Sequence, residues 1–181
     1  LSQFTSGVTI TVKYELQSGY DYYLWGPMDS SWAKLGAAKL GMTAKAAADF
    51  LRKYGMEPRE GLALTGVKAN INESEGPSVA LIGELDGIGC PAHPDAVKAT
   101  GISHACGHEA QMIAVMGAAL ALNDPEVKAA LGGKAIFFGV PAEENLSADI
   151  KEDLAKEGIV FNGGKSELIR RGEFDDVDIS I

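Results

Sequence analysis

"SVALIGELDG", residues 78–87, is an apolar run that closes on two carboxylates, Glu84 and Asp86. A short apolar stretch bounded by turn residues reads as a buried strand. "NESEGP" (72–77) supplies the turn before it. Upstream, "LALTGVKANI" (62–71) reads as a second, less apolar strand, so 78–87 is expected to be the more central of the two. Downstream, a long loop runs from Gly87 to about Ala105, broken by Pro91 and Pro94. Loops of that length inside a compact domain tend to be functional. His108 to Leu122 reads as a buried, alanine-rich helix, with Met112 and Met116 at core spacing. Asp124 caps, and Pro125 opens, a short helix after it. "KAIFFGV" (134–140) is another apolar strand, and "PAEEN" (141–145) follows it directly. Residues 147–157 read as an exposed helix, "GGKSELIRRG" (163–172) as a short one stopped by Gly172, and "DVDISI" (176–181) as the start of a strand. This alternation of strand and helix predicts an α/β fold: a mixed, mostly parallel sheet flanked by helices.

The N-terminal part is less regular. "GVTITVKYEL" (7–16) alternates apolar and polar residues, the period of a half-buried strand. Residues 17–31 read as an irregular connection, where Trp25 and the neighbouring Trp32 are expected to pack. Ser31 to Tyr54 has helical spacing, with Ser30 or Ser31 as cap and Gly55 as its end. Gly36 and Gly41 weaken the first half, so two helical pieces are compatible with the pattern.

The 181 residues are 46% hydrophobic and 23% charged, enough for one domain with a real core. The net charge of −9, without a lysine or arginine cluster, argues against nucleic-acid and membrane-surface partners. Two cysteines, Cys90 and Cys106, make no disulfide framework, and a reducing cytoplasm is the expected location. No transmembrane run and no signal peptide are visible.

Three chemistry-bearing clusters follow strands or precede helices, where open α/β sheets bind ligands. In "GELDG", the carboxylate at the strand end can orient a metal-bound histidine or touch the metal itself; the plainer reading is an ordinary turn aspartate. "HACGHE" (104–109) holds two of the three histidines in the chain. Cys106 and His108 are good ligands for a borderline metal, and Gly107 between them lets the backbone fold tightly. The plainer reading is a packed cysteine beside a helix-capping histidine. A catalytic cysteine with His104 or His108 as base is a rival, though such partners usually come from distant segments. In "PAEEN", one carboxylate can bind metal while its neighbour serves as general base; the plainer reading is a solvated acidic turn. His93, between two prolines in "CPAHPD", reads as an exposed loop residue and only a weak site candidate.

Taken together, the clusters resemble the dinuclear-metal amidohydrolases and peptidases related to aminoacylase, carboxypeptidase and indoleacetyl-amino-acid hydrolase. Family members carry a strand ending in an Asp-rich motif, then "HACGHD", then "PAEE". Here "LIGELDG", "HACGHE" and "PAEE" stand in the same order. "GELDG" and "GGKSELIRRGEFDDVD" look most like the aminobenzoyl-glutamate hydrolase branch. The resemblance covers about Lys45 to Ile181 and implies a zinc-peptidase-like catalytic domain. It implies Cys106, His108 and Glu144 as metal ligands, the cysteine bridging two divalent ions (zinc, manganese or cobalt). Glu143 would be the general base, and Asp86 a strand-end aspartate that orients the site. The implied reaction is hydrolysis of an amide bond in an N-acyl or N-aroyl amino acid or a small peptide. A homodimer of the full-length protein is compatible with the family.

Three departures bear on that expectation. Glu109 stands where the family often has aspartate, and Gln111 where it often has histidine. "AKLG" (38–41) replaces an early "PELG" motif. The family places further histidine ligands and a lid domain beyond the "DDVD" strand, and no histidine follows His108 here. The expected organisation is therefore an atypical segment at 1–30 and, at 31–181, the N-terminal part of the catalytic domain, inactive alone. The alternative is a truncated or non-catalytic relative that acts as a binding protein.

Overall fold

A computed structural model describes residues 42–94, 96, 101–144, 146 and 148–181. The expected strand at 7–16, the segment 1–30, the "AKLG" stretch and the first part of the helix at 31–54 lie outside the described residues.

Helix α1 (Met42–Lys53) buries Ala44, Ala47, Ala48 and Leu51, a helical stripe, and turns Arg52 and Lys53 outward in its last turn. It ends as its sequence predicts. The Gly55 N–H donates to Arg52 O and the Met56 N–H to Leu51 O, the paired closing bonds of a helix C-terminus.

The next expectation needs correction. "LALTGVKANI" is not one strand. Strand β1 (Arg59–Leu62) turns back into β2 (Gly66–Asn70) as an antiparallel hairpin. Ala63 and Leu64 take left-handed backbone conformations at φ 46° and 80° in the reversal, and Ala63 is buried there. An apolar turn buried against the core keeps the hydrophobic pattern of a strand, so periodicity does not reveal it.

Strand β3 (Ser78–Glu84) is followed by a small ladder of β4 (Ile88–Gly89) with β5 (Ile102–Ser103) inside the long loop. Helices α2 (His108–Leu122) and α3 (Pro125–Ala130) come next. The Asp124 side chain accepts from the Glu126 and Val127 N–H groups, with Pro125 first in the helix. Then come β6 (Lys134–Val140), α4 (Ala148–Lys156), α5 (Gly164–Arg170) and β7 (Ile179–Ser180).

The described sheet has the order β1-β2-β6-β3-β7. β3 runs parallel to both β6 and β7, while β2 pairs antiparallel with β1 and β6. The middle strand is β6; β2 and β3 each lie one place from it, so 78–84 is no more central than its partner. Side chains of β6 alternate between two cores. Ala135 and Phe137 join α1 and α2, with Met112 and Met116 buried among them. Phe138 and Val140 join Leu154 of α4 and Leu168 of α5 on the other face. Among the described residues no helix is long and apolar enough to cross a membrane.

Helix α5 is fixed by a buried carboxylate. Glu167 is fully buried, accepting from the Val160 and Phe161 N–H groups and from both Arg170 and Arg171. Arg170, then Arg171 and the two backbone donors, overcome burial and hold its carboxyl far below the usual range. Glu167→Gln is expected to lower the unfolding free energy at pH 7 by about 3 kcal/mol. Because the folded-state value is depressed, the stabilisation is complete above the ordinary carboxyl value of 4.5 and fades as pH falls below it. Urea titrations across pH should show the deficit of the variant narrowing on acidification; a deficit constant with pH would contradict the charge argument.

Candidate metal centre

The parallel β3–β6 ladder sets two motif-bearing ends side by side, with Glu84 opposite Val140. Past those rungs, β3 runs into Leu85-Asp86 and β6 into Pro141-Ala142-Glu143-Glu144. Asp86, 2% exposed, spans the gap. Its Oδ2 accepts the Glu143 N–H at 2.7 Å and the Glu144 N–H at 2.9 Å. Its Oδ1 lies 3.1 Å from His108 Nδ1, which also meets the Asp86 carbonyl at 2.8 Å.

Helix α2 delivers the histidine. Gly107 caps it at φ 115°, a conformation that other residues rarely adopt, and His108 is the first helical residue. Met112 and Met116 bury the next turns, so the start of the helix is anchored from below. Gln111, one turn along, has its Oε1 2.7 Å from the Glu84 N–H, from which it accepts a hydrogen bond. The residue that departs from the family motif thus ties α2 to the end of β3.

The Glu-Glu turn is strained and clamped. Ala142 sits at φ 44° immediately before Glu143, unusual for a residue with a side chain. The Gly164 N–H donates to Ala142 O at 2.7 Å. A methyl group on Gly164 would come within 1.5 Å of Pro141 O, so only glycine lets α5 dock here.

These elements bring the expected residues together. One donor atom from each of Cys106, His108 and Glu144 falls within 4.8 Å of the others, and the same holds for Glu84, His108 and Glu143. His108 Nε2 stands 3.0 Å from Glu84 Oε2, 3.7 Å from Glu143 Oε2 and 3.9 Å from Glu144 Oε1. Burial disfavours the charged imidazole, but the Asp86 carbonyl and the charges of Asp86, Glu84 and Glu144 outweigh it and raise the His108 pKa. The hydrogen bond to Glu144, then desolvation and the charges of Glu144, Glu143 and Asp86, push the Cys106 thiol up to about 11. That is the opposite of an activated thiol nucleophile. With Nδ1 facing the Asp86 carbonyl, Nε2 faces a nest of carboxylates. Glu144 Oε1 is buried there without a hydrogen-bond donor. A thiol, an imidazole oriented by a carboxylate, and unneutralised carboxylates are the donor set that a divalent cation fits.

The remaining candidates fall outside this set. His104 is buried, with Nδ1 3.9 Å from Glu109 Oε2, and its burial lowers its pKa. His93 lies in a turn where its N–H donates to Cys90 O, and it belongs to neither donor grouping. Sequence reasoning missed Lys165, which is ion-paired with Glu84 across the mouth of the site. A lysine on an exposed-looking short helix carries no signal of that reach. It also missed the bond from Gln111, which was visible only as a departure from a motif.

Similarities to known proteins agree with this arrangement. The chain is similar in sequence to a group of deacetylases, amidohydrolases and carboxypeptidases. It is 33% identical over 135 residues to N-acetyl-L-cysteine deacetylase of Bacillus subtilis (strain 168), covering 72% of this chain and 28% of that protein. It is 32% identical over 112 residues to one of the polypeptides of the p-aminobenzoyl-glutamate hydrolase of Escherichia coli (strain K12), covering 58% of this chain and 20% of that one. Its fold matches a Bacillus subtilis dinuclear metal-binding peptidase of the M20 family with a TM-score of 0.61 at 23% identity, over 89% of this chain and 39% of the other. No family model matches the chain. The chain spans less than a third of the length of the curated relatives named here.

Asp86→Ala removes the acceptor for the Glu143 and Glu144 N–H groups. It is expected to lower the unfolding free energy by about 1–3 kcal/mol. Urea denaturation measures it; a loss below about 0.5 kcal/mol, ordinary for a surface substitution, would show that Asp86 does not hold the turn.

Proposed function

We propose that the chain is part of a metal-dependent amidohydrolase that cleaves the amide bond of an N-acyl or N-aroyl amino acid or a small peptide. The observation that carries this reading is the convergence of Cys106, His108 and Glu144 within 4.8 Å beside the paired Glu143. Cys106, His108 and Glu144 would hold divalent metal, in a pair of ions of the zinc, manganese or cobalt type. Metal bound there supplies a Lewis acid that acidifies water and polarises the scissile carbonyl.

The chain's own residues do the rest. Glu143 is 44% exposed at its side chain, open to solvent and substrate, whereas Glu144 is more enclosed. That difference suits a division of roles. Glu143 Oε2 takes a proton from the attacking water and returns it to the leaving amine, while Glu144 stays a ligand. Asp86 keeps the proton of His108 on Nδ1 and so leaves Nε2 free to ligate. Asp86 is thus a positioning residue rather than a proton carrier. Cys90 and Cys106 are both free thiols, which supports a reducing compartment such as the cytoplasm.

N-acetylcysteine and p-aminobenzoyl-glutamate, the compounds in the names of two relatives, are the first substrates to assay. In the full-length protein, treatment with a chelator should abolish hydrolysis, and added zinc, manganese or cobalt should restore it. Glu143→Gln should lower kcat by about 10²- to 10⁴-fold with metal content unchanged. Full activity after both treatments would overturn the reading.

A further inference from the structure

Glu84 is a tightly held carboxylate of the site, and the resemblance gives it no role. Its backbone is fixed twice: by the last rung of the β3–β6 ladder and by the bond from its N–H to Gln111 Oε1. Its Oε1 is ion-paired with Lys165. That leaves Oε2, directed at His108 Nε2 from 3.0 Å. The residue is buried, at 8% exposure.

With the His108 proton on Nδ1, Nε2 and Oε2 are two lone-pair donors facing each other. A cation between them, or a second proton on the imidazole, relieves their repulsion. Donor atoms that share one ion at about 2.0–2.2 Å stand roughly 3–3.5 Å apart. The observed separation is the edge of one coordination polyhedron. Glu143 Oε2, at 3.7 Å from the same nitrogen, completes the second donor grouping.

We propose that Glu84 is a further metal-contacting carboxylate, sharing the ion held by His108, with Lys165 as its counter-charge. The proposal rests on the metal-site reading above. It assigns a ligand from β3 itself, supported from behind by Gln111 and from the solvent side by α5. Lys165 withdraws part of the negative charge of Glu84, so it weakens the hold on a cation while keeping Oε1 out of the site. Removing Lys165 should therefore strengthen metal binding; because loss of a nearby positive charge favours a cation in any case, the result that identifies Glu84 as a ligand is the loss of affinity in Glu84→Gln.

The test is zinc affinity of the full chain, measured by competition with a chromophoric chelator, with no assay of activity. Glu84→Gln, which keeps shape and hydrogen bonding to Lys165, should weaken zinc binding at least tenfold. Lys165→Met should tighten it several-fold. Unchanged affinity in either variant overturns the proposal. Should Glu84→Gln fail to fold, by circular dichroism, Glu84→Asp, which withdraws the carboxylate by one methylene and keeps its charge, takes its place with the same two outcomes. His108→Ala separates this idea from the reading beneath it. If the wild-type chain binds no zinc, or His108→Ala binds as tightly as wild type, the metal site itself fails and this proposal falls with it. If wild type binds, His108→Ala does not, and Glu84→Gln binds normally, only the role of Glu84 is lost.

Discussion

The parallel ladder between β3 and β6 is the constraint on which the rest depends. Seven matched rungs, from Ser78 opposite Lys134 to Glu84 opposite Val140, leave no freedom in where the two strand ends meet. A slip of one residue would turn every side chain to the wrong face of a sheet that is packed on both sides. Phe137 and Phe138, both fully buried and facing opposite cores, make that slip prohibitive. Once the register is set, Asp86 and the Glu-Glu turn are neighbours, and a single carboxylate suffices to join them. The placement of the chemistry is thus decided by hydrophobic packing some distance below it.

Much of this was legible from residues alone, for identifiable reasons. The bounds of α2 and β6 follow from apolar patterning between glycine, aspartate and proline signals. Asp124 and Pro125 announce α3 through local chemistry that does not depend on the tertiary fold. The grouping of Cys106, His108 and Glu144 was accessible because the order of three motifs resembles a family. The hairpin at 62–66 was not legible, since its turn residues Ala63 and Leu64 are apolar and adopt conformations that their side chains do not advertise. Lys165 and Glu84 meet across 81 positions, and only the docking of α5 brings them together. Gln111 illustrates a third case: its departure from the motif was visible, but its partner, a backbone N–H of another strand, has no sequence signature.

Electrostatics separate the roles of similar residues. Four carboxylates, from Glu84, Asp86, Glu143 and Glu144, surround one imidazole. Asp86 commits Oδ2 to two backbone N–H groups and its carbonyl to His108; Glu84 is half neutralised by a lysine. Glu143 and Glu144 are left with the least compensation; the hydrogen bond to Glu144 first, then desolvation and the charges of Glu144, Glu143 and Asp86, raise the pKa of the Cys106 thiol. A cluster that disfavours a thiolate favours a dication, so under the proposed reading cysteine ligation and metal binding would be coupled through one local field.

The turn that carries Glu143 and Glu144 is gripped by two jaws of different chemistry. On one side Asp86 holds its backbone through charge-assisted hydrogen bonds; on the other Gly164 rests against Pro141 with no room for a methyl group. Ionic strength acts on the first jaw and does not alter the second, which is a matter of shape. The left-handed kink at Ala142 is therefore held by steric fit even where electrostatics fade. Uptake of metal under the proposed reading would change the charge of the site, and a mechanical stop independent of charge would leave the geometry of the turn the same before and after.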